Sequence, residues 1–90
     1  MAFVTGRILS MNGTVIVEYI EIGINTLHFG TQEYWYGSCE VPGVPVLHAP
    51  AYRLQLADGR EGKITHITTW ISGENIRVSF EGSIPLTAGA

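Results

Sequence analysis

The sequence predicts an all-β fold, a small antiparallel six-stranded barrel or sandwich, and three observations predict it. Asn12-Gly13 and Asp58-Gly59 each separate two apolar runs, the strongest short-range signal for a β-hairpin. No stretch of helical length keeps its apolar residues at the 3.6-residue period, and Gly and β-branched residues dominate. A hairpin followed by a third strand occurs twice.

The first hairpin joins Phe3–Met11 to Thr14–Ile22, and Asn-Gly is read as a type I′ turn with positive φ at both central residues. After a loop comes the third strand, Gln32–Val41. The second hairpin joins Tyr52–Ala57 to Arg60–Thr69, with Trp70-Ile71 in the loop that follows. Its alternation puts Tyr52, Leu54 and Leu56 on the core face. The last strand is Asn75–Ser83, with Ile76, Val78 and Phe80 inward and Arg77, Ser79 and Glu81 outward.

The halves match each other. Gly13 and Gly59 are separated by nearly the same interval as the pairs Gly37-Ser38 and Gly82-Ser83, and each Gly-Ser is soon followed by proline, at Pro42 and Pro85. This reads as an internal duplication with a pseudo-twofold axis, in which closing the sheet removes edge strands that invite foreign pairing. The expected organisation is one domain over 1–90: half one about 3–41, a proline-rich crossover 42–50 packed over a barrel end, half two 51–86, and a frayed tail 87–90.

Composition bounds the function. Apolar residues make up 46% of the chain and charged residues 14%, against about 25% charged in ordinary domains. Low charge leaves either an apolar surface that meets a second copy or a neutral Ser/Thr/Gly surface. Net charge is −3 and Arg7, Arg53, Arg60, Lys63 and Arg77 are scattered, which argues against nucleic acid unless folding gathers the last four. A single cysteine excludes an internal disulfide, no apolar run is long enough to span a membrane, and no signal peptide is read, so a cytoplasmic protein is expected.

No catalytic, metal or cofactor constellation stands out. Cys39 and His48 lack a third group to orient the base, and a strand cysteine ordinarily packs as a small hydrophobe. His28, His48 and His66 have no close ligand spacing, and His66 reads as a hydrogen-bonding side chain on the sheet. The Gly-Ser pairs lack the second glycine of a nucleophile elbow and read as strand bends. Glu18 and Glu21, three apart in a strand, are expected on opposite faces.

Tyr34-Trp35-Tyr36 is the most informative stretch. Alternation forbids all three rings from sharing one core, so one side faces in. The other is covered by the crossover or a second subunit, or binds a sugar, base or peptide. Trp70 poses the same question. The candidate binding residues are therefore Tyr34, Trp35, Tyr36 and Trp70.

The run Tyr52-Arg53-Leu54-Gln55-Leu56-Ala57-Asp58-Gly59-Arg60-Glu61-Gly62-Lys63-Ile64, closed by Phe80-Glu81-Gly82-Ser83-Ile84-Pro85-Leu86, resembles a loose group of short uncharacterised bacterial proteins. They share the pattern Tyr-x-Leu-x-Leu-x-Asp-Gly-Arg-x-Gly-x-Ile and a closing Phe-x-Gly-Ser-x-Pro-Leu. The resemblance implies a small β domain and carries over no activity, cofactor or catalytic residue.

The expected function is a non-catalytic binding or interaction module, self-associating, that takes a protein or small ligand through an aromatic face, with no cofactor. The alternative is a small enzyme whose site assembles only in the fold, from His66 with Asp58 or Glu61. A third reading is a small nucleic-acid-binding barrel.

Overall fold

Seven strands form in the computed structural model, which describes residues 2–42, 47–82 and 87–88: β1 (Ala2–Leu9), β2 (Val15–Phe29), β3 (Gln32–Pro42), β4 (Ala51–Leu56), β5 (Arg60–Ser72), β6 (Asn75–Gly82) and β7 (Thr87–Ala88). The first six are antiparallel and close in a ring, in the order β1-β2-β3-β6-β5-β4 and back to β1. β7 pairs with the start of β5, Arg60 opposite Ala88 and Glu61 opposite Thr87, so the expected frayed tail is instead paired at Thr87-Ala88. The end of half two, 83–86, and part of the crossover, 43–46, lie outside the described residues. Beyond that gap Leu47 packs against the core and the Ala49 N–H donates to the Tyr52 hydroxyl at 3.1 Å.

The hairpins stand where the turn glycines put them, but not with the expected turn. Gly13 and Gly59 have φ of 95° and 96°, whereas Asn12 and Asp58 do not have positive φ, which excludes type I′. Each connection has three residues: Gly13 N–H donates to Ser10 O at 2.9 Å, and Gly59 N–H to Leu56 O at 3.0 Å. This is a turn closed by a left-handed glycine. Asn12 Oδ1 accepts from the Thr14 N–H at 3.1 Å, and Asp58 Oδ1 from the Arg60 N–H at 3.0 Å, so both polar residues act through their side chains instead.

Two more tight turns, Gly30-Thr31 and Gly73-Glu74, join β2 to β3 and β5 to β6, with φ of 62° and 63° at the glycines. They carry β2 to Phe29 and β5 to Ser72, so the expected loops after Ile22 and Thr69 are strand. The two long hairpins run out from the ring as arms, and the molecule measures 40 × 25 × 23 Å.

Bulges break the alternation in β2 and β5. Gly6 faces Ile20 while Ile8 faces Val17, an extra residue in β2; Thr65 faces Glu81 while Thr68 faces Ser79, an extra residue in β5. The first bulge resets the phase between Val17 and Ile22, both buried, so Glu18 and Glu21 are both exposed rather than on opposite faces. In β5 the extra residue is His66, whose φ of 52° is uncommon for a residue with a side chain.

The interior is apolar throughout: no described residue buries a polar or charged side chain. Tyr52, Leu54 and Leu56 face in as expected, with Ile8, Ile22, Ile64, Val78 and Phe80. The match between the two halves extends to the packing. Trp35 lies over Gly82, where an added Cβ would sit 1.8 Å from the indole, and Phe80 lies over Gly37, where it would sit 2.8 Å from the ring. Each half thus lends one aromatic ring to the other half's glycine, and the two rings meet edge to face at 6.2 Å.

Candidate functional site

The β2–β3 arm presents an aromatic cleft. Past Ile24, β2 has no described partner on its side away from β3, so Asn25–Phe29 is a sheet edge. On this ribbon Leu27 faces Tyr34 and Phe29 faces Gln32. Phe29 and Tyr34 pack edge to face at 5.8 Å, and the Tyr34 hydroxyl bonds the Gln32 side chain. A cleft of about 430 Å³ is lined by Leu27, Phe29, Tyr34, Trp35, Tyr36, Glu81 and Gly82. Phe29 is 65% exposed, Tyr34 47% and Tyr36 41%. Large rings half open to water on a two-stranded ribbon are costly unless something covers them.

Of the four residues singled out from sequence, the structure brings three to this cleft, in different roles. Tyr34 and Tyr36 stand on its wall, while Trp35 is 2% exposed and forms part of the core beneath. Trp70 is elsewhere, half-exposed on β5 opposite Arg77. Sequence reasoning missed Leu27 and Phe29, because a loop was expected there. The signal was present: two apolar residues in alternation, two positions apart, directly before Gly30-Thr31.

A second concavity, of about 350 Å³, lies on the outer wall where β2, β3, β6 and β5 run side by side. One cross-strand row there reads Asn25, Tyr36, Glu81 and Thr65; the next reads Ser38, Ser79 and Thr68. The β5 bulge aims His66 into it, where Nδ1 lies 3.0 Å from Glu81 Oε2 and 3.1 Å from Thr65 Oγ1. His66 is therefore the hydrogen-bonding side chain the sequence suggested, but not with the partners of the enzyme reading. Asp58 is taken by Arg60 at 2.9 Å, which holds its carboxyl below the usual range, and Glu61 by Gln55 at 2.7 Å and Arg53 at 3.4 Å.

Other candidates settle as packing or surface. Cys39 is buried, and that burial, offset slightly by Arg77, pushes its thiol up to about 11, the reverse of an activated nucleophile. His28 and His48 are exposed, and no three His, Cys, Asp or Glu side chains cluster among the described residues. Of the four cations whose gathering the nucleic-acid reading would need, Arg53, Arg60 and Arg77 each pair with an acid: Glu61, Asp58 and Glu40. No helix among the described residues is long and apolar enough to cross a membrane. Comparison with known protein families, with curated proteins and with solved structures finds no match.

Proposed function

We propose that this protein is a non-catalytic interaction module that self-associates through its β2–β3 arm. One observation carries the reading: Leu27, Phe29 and Tyr34 stand partly open to water around one cleft, on a ribbon whose β2 edge has no described partner. An unpaired strand edge offers backbone donors and acceptors to another strand, and apolar side chains beside it add a solvent-exclusion term. A second copy meets both demands, because an arm docked on its own equivalent pairs edge with edge and ring with ring. The low charge of the chain fits the same occupant, since little repulsion separates two copies.

The test is solution mass by light scattering over a dilution series. A mass above the 9.8 kDa of one chain is expected, falling to one chain's mass when Leu27→Lys and Phe29→Lys are combined. A strict monomer at every concentration, or an oligomer indifferent to both substitutions, overturns the reading.

A further inference from the structure

We propose that the outer-wall groove centred on Tyr36 is a binding site for a neutral saccharide. The argument starts from what the groove offers. Tyr36 is 41% exposed, and it stands between Asn25 on one neighbouring strand and Glu81 on the other. Directly opposite residues sit about 5 Å apart at Cβ, so a ring lying on the tyrosine is within reach of both planar side chains. Thr68 and Ser79, one row along, add hydroxyls that both donate and accept. No described residue takes up the side chains of Asn25, Thr68 or Ser79.

His66 completes the set. Its left-handed backbone within the bulge is a costly way to build a strand, and glycine would build it more cheaply. What the histidine adds is an imidazole locked by Glu81 at 3.0 Å, with its second ring nitrogen left for another partner. Such strain is an observation that points to use.

The chemistry then selects the ligand class. The groove holds a carboxylate in a chain of net charge −3, and its neighbour Arg77 is already bound to Glu40 at 3.3 Å, so an anion is repelled rather than held. The floor of the groove is β3 and β6, each paired on both sides where it lines the groove, so a peptide strand could add only at the β2 and β5 rims and not across the tyrosine. A purely apolar ligand would strand the amide, carboxylate, imidazole and hydroxyls without partners. A sugar ring satisfies all of these at once: its C–H face lies on the tyrosine, and its adjacent hydroxyls meet the planar and hydroxylic side chains. The volume, about 350 Å³, lies at the small end of ligand pockets and suits one ring of a chain.

The experiment titrates the isotopically labelled protein with glucose, galactose, mannose, xylose, N-acetylglucosamine and their short β-linked oligomers, followed by NMR. At least one probe should shift the Tyr36 and His66 signals saturably, while inorganic phosphate and ATP should not. Tyr36→Ala and His66→Gly should each weaken that binding at least tenfold. His66 does not line the aromatic cleft, so His66→Gly should leave the solution mass unchanged, which separates this site from self-association. If no saccharide moves Tyr36, if phosphate or ATP alone does, or if binding survives both substitutions, the proposal fails.

Discussion

Gly82→Ala tests the central packing claim most directly. A methyl at this position would sit 1.8 Å from Trp35 Cε2 and 2.3 Å from two further indole atoms, far inside van der Waals contact. Trp35 is 2% exposed and packs on Phe80, so it has nowhere to retreat within the core. Ordinary overpacking costs about 1–3 kcal/mol, and evicting a buried tryptophan approaches the roughly 3–5 kcal/mol of deleting it. The expected loss is therefore about 3–5 kcal/mol. A chain this size has on the order of 5–13 kcal/mol in all. At about 4–8 °C per kcal/mol the melting temperature should fall by roughly 12–40 °C. Urea unfolding followed by tryptophan fluorescence is the assay, with the native emission shifted red as Trp35 meets water. Combining Gly82→Ala with Trp35→Val should cost much less than the two singles added, because the second change removes what the first collides with. A Gly82→Ala protein within about 1 kcal/mol of the parent, with native fluorescence, would refute the exchange of rings between halves.

The partner substitution, Gly37→Ala, should be at least as damaging, since its methyl would also meet the Gly23 carbonyl oxygen at 2.4 Å, and backbone cannot swing aside; denaturation midpoints decide it. Gly13→Ala has open space around it, so only its φ of 95° opposes the change and the loss should be about 1–2 kcal/mol. Cys39 should resist alkylation near neutral pH except through unfolding, so labelling should track denaturant concentration. Its folded thiol is neutral until about 11 against 9.0 unfolded, so it contributes stability below pH 9 that falls away between 9 and 11, by about 2–3 kcal/mol. A Cys39→Ser protein should show a shallower loss over that window.

Much of this fold was legible because it rests on local signals. Asp58-Gly59 between alternating runs fixes a hairpin, and the alternation of Tyr52, Leu54 and Leu56 fixes its core face. What escaped has a common physical origin in the bulges and arms. A bulge changes which face a residue takes without leaving a sequence mark when the extra residue is ordinary, as with Glu18 and Tyr19 or with His66. The arms escaped because Gly30-Thr31 and Gly73-Glu74 are weaker turn signals than Asn-Gly, while Asn25 and Thr26 dilute the apolar pattern before Leu27. The turn type was misread for a related reason: Asn and Asp favour both left-handed backbone and side-chain capping, and here capping won. The aromatic stretch gave its alternation correctly, but no local rule could show that Gly82 makes the hole that Trp35 fills.

The two halves agree inside and disagree outside, and that contrast bears on function. Inside, the same exchange occurs twice, Trp35 over Gly82 and Phe80 over Gly37, and Ile8 faces Leu54 fully buried across the other seam. Outside, the seam between β3 and β6 pairs Tyr36 with Glu81, unlike residues where the halves match within. The bulge opposite Gly6–Ile8 and the bulge in β5 likewise aim different groups outward: Tyr19, whose ring lies 5.0 Å from the Arg7 guanidinium, and His66, beside Glu81. Leu27 and Trp70 stand three residues before the two arm glycines, one in an apolar cleft and the other opposite Arg77. Packing demands alone would hold both halves to one solution where they share a core, and would leave the surface free to vary. They do not call for the strained bulge histidine, the carboxylate beside it and an open tyrosine in one groove, so that face is where the two halves differ most.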